Sequence, residues 1–384
     1  MSTVTLPDDV IEQVLLRSVV KLVLRFKCVC KSWCSYISDS HFAKFHFDFG
    51  TAPTHRLLRL NYENYTAISL DTEAPFFDDA RKLVYKIPGL SNPSHYRRKV
   101  HILGSCRGFI LLQTNFSRNS ILFMIWNPTT GLRKQISYDN SLRYSLGLVL
   151  CGVVYASSED DYVVVAVIVL QQRIVINCFS LRTNSWSVYE DALPDNYLLS
   201  YTYFGCMSVL LNEVVHWLVI SGNGNRYAIV AFDIKDKKIS YIPLSHDLVV
   251  QIKRFAFPFL FPLRVFDGCL SVSFQSHDKI EIWSMKEYKV QSSWTKTFVL
   301  STRPGVFYPI FSTQNGHVLG WNRDEQIARY DEKGELLQVR RYEHHHHNYF
   351  LADCIVYTET FLPFPTNPES NQVKMENSIT PNLH

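Results

Sequence analysis

Long apolar runs, a strong charge of one sign and any catalytic signature are all missing from this 384-residue chain. The longest clean apolar stretch, residues 163–170, falls far short of the ~20 residues a membrane helix needs, so no membrane partner is expected. The opening residues MSTVTLPDDVIEQ lack the basic region and apolar run of a secretory signal. The sequons at Asn64 and Asn115 are therefore read as chance matches. Lys and Arg total 39 against 35 Asp and Glu, a net charge of +4. The basic clusters Arg97-Arg98-Lys99 and Arg340-Arg341 are too short for a nucleic-acid stripe and read as solvated faces. The nine cysteines are odd in number and scattered among apolar runs. They suit reduced, mostly buried thiols in a cytoplasmic or nuclear protein better than a disulfide framework.

Catalytic patterns are equally sparse. There is no G-x-S-x-G elbow, no H-E-x-x-H pair and no phosphate-binding glycine loop with its lysine. Gly222-Asn223-Gly224-Asn225 lies between two apolar runs and reads as a hairpin tip. The run His344-His345-His346-His347 reads as an exposed loop, His216 as a satisfied core residue beside Trp217, and Glu159-Asp160-Asp161 as a solvated turn. No cofactor or metal is expected, and no residue is assigned a catalytic role.

What the chain does have is 47% hydrophobic residues and a 14% aromatic share, with 25 Phe and 21 Tyr. Aromatic and β-branched residues fit half-buried pleated surfaces, which points to β structure. The N-terminal part differs. Leu6-Pro7-Asp8-Asp9 has the form of a helix start, with a fixed φ at Pro7 and acids suited to the positive end of the helix dipole. Three apolar sets at helical spacing follow: Val10, Ile11, Val14, Leu15; then Val19, Val20, Val23, Leu24, Phe26; then Val29, Cys30, Trp33, Ile37. Three helices of ~10 residues bury little area alone. Either a partner covers an apolar face of this head, or the helices cap the domain that follows. Of Cys28, Cys30 and Cys34 only the last two share a helix face, and no fourth ligand is near, so all three are read as small packing residues rather than a metal site.

From about Arg56 to Pro363 apolar strands alternate with turn signals. One unit recurs, an aromatic followed by a small polar turn former. It appears at Trp126-Asn127, Phe179-Ser180, Phe232-Asp233, Trp283-Ser284 and Tyr330-Asp331, in steps of 53, 53, 51 and 47. Asn, Ser or Asp opens each turn through its own side chain, and Gly131, Asn184 and Gly334 suit the left-handed position that closes it. Between these units lie further hairpins, through Asn212-Glu213, Asp267-Gly268 and Asn315-Gly316. Two hairpins per ~50 residues make four strands, the size of a propeller blade. A weaker copy at Ala67-Ile68-Ser69-Leu70-Asp71 brings the count to about six. The strand around Cys354-Ile355-Val356-Tyr357 is expected to pair with the first blade and close the ring. A large sandwich with accidental periodicity is the competing fold. The polar tail at 363–384 is expected to be disordered.

Two stretches add a resemblance. Leu6-Pro7, Val14-Leu15-Leu16-Arg17, Val20-Lys21 and Arg25-Phe26-Lys27-Cys28-Val29-Cys30-Lys31-Ser32-Trp33 together resemble an F-box of the plant type. Gly104-Ser105-Cys106-Arg107-Gly108-Phe109, followed by Ile125-Trp126-Asn127-Pro128-Thr129-Thr130, is similar to the F-box-associated domain that follows it in such proteins. The resemblance implies a mainly β chain: a three-helix F-box at 1–46, then a kelch-like β-propeller at 54–362. It implies that Leu6, Pro7, Ile11, Leu15, Val29 and Trp33 make apolar contact with a Skp-type adaptor, and through it with cullin and RING subunits. The expected role is the non-catalytic substrate receptor of an SCF-type ubiquitin ligase holding an unidentified protein target. The sequence departs from the family pattern at Ser18 and Val19, where Leu-Pro usually stands between the first two helices. Loss of that proline is expected either to let the helices run together or to shift their angle. A propeller enzyme, a small-ligand sensor, and an F-box protein acting outside a ligase remain the alternatives.

Overall fold

The computed structural model describes residues 7–50, 53–61, 66–73, 82–87, 100–115, 120–139, 148–169, 173–192, 207–220, 227–255, 263–276, 278–301, 307–322, 326–341 and 354–365. Leu6, the Arg97-Arg98-Lys99 cluster, Gly222-Asn223-Gly224-Asn225, the run from His344 to His347 and residues 366–384 lie outside them.

The head holds four helices rather than three: α1 (Asp8–Arg17), α2 (Val20–Phe26), α3 (Lys31–Ser38) and α4 (Ser40–Phe49). The fourth follows from Asp39, whose side chain accepts from the His41 and Phe42 amides and so caps α4. No helix among the described residues is long and apolar enough to cross a membrane.

The body is six four-stranded antiparallel sheets. The first blade holds β1 (His55–Asn61), β2 (Thr66–Asp71) and β3 (Leu83–Lys86). The second has β4 (Val100–Cys106), β5 (Phe109–Asn115), β6 (Ser120–Trp126) and β7 (Arg133–Asp139). The third has β8 (Leu148–Ala156), β9 (Asp161–Val169), β10 (Arg173–Ser180) and β11 (Ser185–Ala192). The fourth has β12 (Val209–Leu211), β13 (Val214–Ile220), β14 (Tyr227–Asp233) and β15 (Lys238–Pro243). A helix that the strand pattern did not announce, α5 (His246–Phe255), then intervenes. The fifth blade has β16 (Leu263–Phe266), β17 (Cys269–Ser276), β18 (Lys279–Met285) and β19 (Trp294–Ser301). The sixth has β20 (Phe307–Ser312), β21 (Val318–Asn322), β22 (Gln326–Tyr330) and β23 (Leu336–Arg341).

The last strand, β24 (Cys354–Thr358), returns to the first blade and pairs antiparallel with β1, from His55 opposite Thr358 to Arg59 opposite Cys354. This is the closure expected from sequence. It makes β24 the innermost strand of the first blade. The strands β24, β4, β8, β12, β16 and β20 then meet in turn around the centre, a closed six-bladed propeller.

The recurring aromatics all fall on the third strand of a blade: Trp126 on β6, Phe179 on β10, Phe232 on β14, Trp283 on β18 and Tyr330 on β22. The tight hairpins take the left-handed conformations their turn residues favour. Asn212 and Glu213 have φ of 52° and 61°, and Asp267 and Gly268 have 49° and 72°. The apolar run at β9 is continuous because that strand is covered on both sides. Val164, Ala166 and Ile168 face one inter-blade core, while Val163, Val165 and Val167 face the next.

Candidate functional site

Two surfaces matter: the outer face of the head, and the seat where the head meets the propeller. Leu15, Val20, Val23, Ile37, Phe42 and Ala43 turn inward and join one buried cluster with Leu103, Phe109, Tyr162, Phe361 and Leu362. The head therefore shares a core with the second and third blades. Large apolar side chains also face outward, among them Val10 and Val14 on α1, Val19 and Leu22 around α2, and Val29, which is 60% exposed. The helices are apolar on two faces, and the propeller covers one of them.

Of the six positions expected to contact an adaptor, Leu6 lies outside the described residues, and the other five do not form one exposed set. Pro7 is the exposed N-cap of α1. Val29 lies outward in the turn between α2 and α3. Ile11 and Trp33 are half-buried against the head's core, with the Trp33 ring edge-on to Phe26 at 5.6 Å. Leu15 is wholly buried, and its side chain holds the helices together rather than facing out. Val10, Val14 and Leu22 are outward residues that are not among those six positions. Their signal was present in the sequence, since Val10 and Val14 are one helical turn apart on the face beside Ile11 and Leu15.

The off-pattern pair Ser18-Val19 still separates the first two helices. Both residues are extended, with Ser18 at φ −84°, ψ 142° and Val19 at φ −63°, ψ 148°. The break is held without proline. The Ser18 hydroxyl donates to the Val14 carbonyl at 2.7 Å, and His46 Nε2 on α4 lies 2.9 Å from the Ser18 carbonyl. Burial of that imidazole pushes its pKa down, so the neutral ring donates its Nε2 hydrogen there.

The cysteine expectation needs correcting in the head. Cys106, Cys151, Cys178 and Cys354 are buried, but Cys28, Cys30 and Cys34 are exposed. Cys28 lies in the turn after α2 and Cys30 is the N-cap of α3, so these residues never share one helix. The Ser32 hydroxyl, 3.0 Å from Cys30 Sγ, and the Trp33 amide lower that thiol's pKa. Among the described residues no group of three or more His, Cys, Asp or Glu could hold a metal.

At the seat, the two motif turns of the second blade act as clasps. Arg107, at φ 46° in the turn between β4 and β5, stacks over Phe47 of α4 at 4.3 Å and over Tyr155 at 4.2 Å. It also donates to Asp48 at 3.2 Å. Asp160, in the turn between β8 and β9, pairs with Lys44 of α4 and, at 3.1 Å, with Arg182. Burial pushes the Asp160 carboxyl up, but bonds from Lys44 and Tyr155 outweigh it and leave the pKa lowered. This acidic run is thus a docking contact and not a solvated turn, and its neighbour Asp161 is buried, accepting from Ser180 and the Arg182 amide.

Between head and propeller runs a strap, residues 359–364. Asn127, wholly buried, opens its turn by accepting from the Thr129 amide at 2.9 Å, while its Nδ2 donates to the Thr360 carbonyl at 3.0 Å. Gly108 has φ +84°, and a Cβ there would lie 1.9 Å from Thr360 Cγ2. Phe361 sits 6.0 Å from Phe42 and 5.0 Å from His46. Phe364 stacks on Phe109 at 5.0 Å. Placing the start of a disordered tail at residue 363 was therefore wrong for Phe364, which is packed into the seat. Its signal was the apolar character of Phe361, Leu362 and Phe364, set against the polar residues beyond.

Residues 58–364 match the F-box associated beta propeller domain, and residues 5–45 match the F-box domain. The chain belongs to the F-box-associated propeller family. An F-box/kelch-repeat protein of Arabidopsis thaliana is 28% identical over 304 residues, 76% of this chain and 78% of the relative. F-box protein CPR1 of the same plant is 25% identical over 324 residues, 77% of this chain and 73% of the relative. The helical head is thus the F-box, and the motif turns carrying Arg107 and Asn127 are where its associated propeller grips it. The head seats on the end of the ring that carries the turns between first and second strands. The opposite end, where the innermost strands begin, faces away from the F-box.

Proposed function

We propose that this chain is the substrate receptor of an SCF-type ubiquitin ligase. The F-box docks on a Skp-type adaptor, which links it to cullin and RING subunits, and the propeller holds a protein target. The chain itself catalyses no step; it raises the local concentration of the target near the ubiquitin-charged enzyme. The observation that carries this reading is the second apolar face of the F-box. Val10, Val14, Leu22 and Val29 stay exposed after the propeller has covered Leu15, Val23 and Ile37. Single exposed apolar residues are ordinary, but several on one small helical module mark an interaction surface.

The test is co-purification of the full chain with a Skp-type adaptor, using Val14→Asp and Val29→Asp. Both positions are outward, so the fold survives the change. Losing a buried valine contact is worth ~1.5–3 kcal/mol, and a carboxylate at the interface adds to it, so binding weakens at least about tenfold. Undiminished adaptor recovery with both variants would count against the reading. Leu15→Asp is a poor probe, because a charge at that buried position unfolds the head whatever its partner.

A further inference from the structure

Charge is spread unevenly over the F-box. The whole chain is nearly balanced, with 39 basic and 35 acidic residues. From Gln13 to Ser38, however, the charged residues are Arg17, Lys21, Arg25, Lys27 and Lys31, and none is acidic. The acids of α1, Asp8, Asp9 and Glu12, all precede that stretch.

The fold sets the two signs at different ends of the module. Val20 and Val23 of α2 turn inward, so Leu22 and Arg25, one helical turn apart, share its exposed side. Lys27 is the C-cap of α2, and the exposed Lys31 is the first residue of α3. Between them stands the outward Val29. Lys21 is set apart from this group, because it lies close enough to Glu359 of the strap to act on that carboxyl. Glu12 lies instead beside the other end of α3, hydrogen-bonded to Tyr36, which is ~7.5 Å along the helix axis from Lys31. Leu22 and Val29 are thus rimmed by positive charge, while Val10 sits among the acids.

An apolar centre with a charged rim is the make-up of a protein interface. A nucleic acid would leave Leu22 and Val29 against its phosphates. An anionic lipid surface would be repelled by the exposed Asp8 and Asp9. Only a protein surface meets apolar, positive and negative patches together. A one-signed patch raises association rates by ~10–1,000-fold, steeply dependent on salt, and rim charges act on association more than on dissociation.

We propose that the partner seated on the outward apolar face carries acidic side chains opposite the α2–α3 turn, and that Arg25, Lys27 and Lys31 steer its approach and set its orientation. This rests on the reading that the face takes a Skp-type adaptor. It adds the charge which that adaptor presents and the kinetic step at which the three cations act.

The experiment measures association and dissociation rates of the full chain with a Skp-type adaptor between about 0.05 M and about 0.5 M salt, a range over which screening shortens the reach of these charges severalfold. The wild-type association rate is expected to fall at least about tenfold, with dissociation changing less than about threefold. The triple variant Arg25→Gln, Lys27→Gln, Lys31→Gln associates at least about tenfold more slowly at low salt and loses most of the salt dependence. Lys253→Gln, an exposed cation on α5, keeps the wild-type rates. An association rate indifferent to salt, or a triple variant as fast as the wild type, overturns the proposal and leaves the adaptor reading standing. So does a triple variant altered only in dissociation, since the cations would then be contacts and not steering groups. Binding to phosphatidylserine vesicles that the triple variant loses, with adaptor rates unchanged, also overturns it and gives the patch to a membrane surface. A wild type that never binds the adaptor refutes that reading and this proposal together. Should the triple variant fail to fold, the salt dependence of the wild type decides.

Discussion

Phe361→Ala tests whether the strap joins the F-box to the propeller. The ring is 7% exposed and packs between Phe42 and His46 of α4 on one side and the core of the second blade on the other. Removing a buried phenylalanine side chain costs about 3–5 kcal/mol through lost transfer energy and the cavity left behind. The hole opens at the seat, so the loss falls on docking of the head and not on the ring. If ~3 kcal/mol is taken from the free energy of local opening, amide exchange in the head speeds up roughly 100-fold, at about tenfold per 1.4 kcal/mol. Hydrogen exchange read by mass spectrometry on the full chain resolves this. Peptides covering α3 and α4 should exchange roughly 100-fold faster, while those covering β17 and β18 on the far side of the ring stay unchanged. Exchange that rises equally everywhere, or a head that does not respond, would refute the assignment of the strap as the joining layer.

Other consequences are open to measurement. His216 is wholly buried between the Val209 carbonyl at 3.3 Å and the Tyr288 hydroxyl at 2.9 Å, and burial lowers its pKa to about 4. An unfolded histidine titrates near 6.5, so between pH 6.5 and 4 the unfolded chain binds a proton the folded chain refuses. This contribution is intact above pH 6.5 and is lost at up to about 1.4 kcal/mol per pH unit as the pH falls; denaturation profiles of His216→Gln should be correspondingly flatter, and an equal slope would disprove the account. Gly108→Ala places a methyl group against Thr360 at positive φ, so the unfolding free energy from urea titration should drop by more than the ~1–2 kcal/mol cost of a left-handed alanine; a loss no larger than that means the strap does not press there. Val19→Pro restores the family's residue at a backbone that already fits it, φ −63° after an extended Ser18, and should raise stability by about 0.4–1 kcal/mol in the same assay. A fall instead would show that the Ser18–His46 contact needs the present geometry.

The blades were legible because their signals are local. Asn212-Glu213, Asp267-Gly268 and the recurring third-strand aromatics each act within a few residues, and the closing strand only had to be apolar and come last. The missed features depend on distance in the chain. Asp160 reads as one of three solvated acids until Lys44, 116 positions away, arrives beside it. The strap residue Phe361 has no meaning without Phe42. α4 was overlooked because its aromatic-rich run Phe42, Phe45, Phe47 and Phe49 has modest helix propensity and resembles the strands that follow. Its cap at Asp39 was the better evidence. α5 was overlooked for the same reason, although Ser245 accepts from the Leu248 amide and Leu248 and Ile252 are buried at helical spacing. Among the residues the family pattern assigns to adaptor contact, Leu15 turns inward while Pro7 and Val29 lie outward, and a list of shared apolar positions does not say which side the propeller takes.

The closing strand and the strap that follows it have a consequence for synthesis. The F-box helices precede the ring in the chain, yet the strap at residues 359–364 that packs them onto it follows all six blades. Until β24 and the strap are made, the F-box is held without its strap and the ring is open, its first blade lacking the inner strand. A chain terminated before Cys354 would be left in that condition permanently, with a head that is not rigidly aimed. The F-box and the propeller are thus joined rigidly only once residues 354–364 have been made.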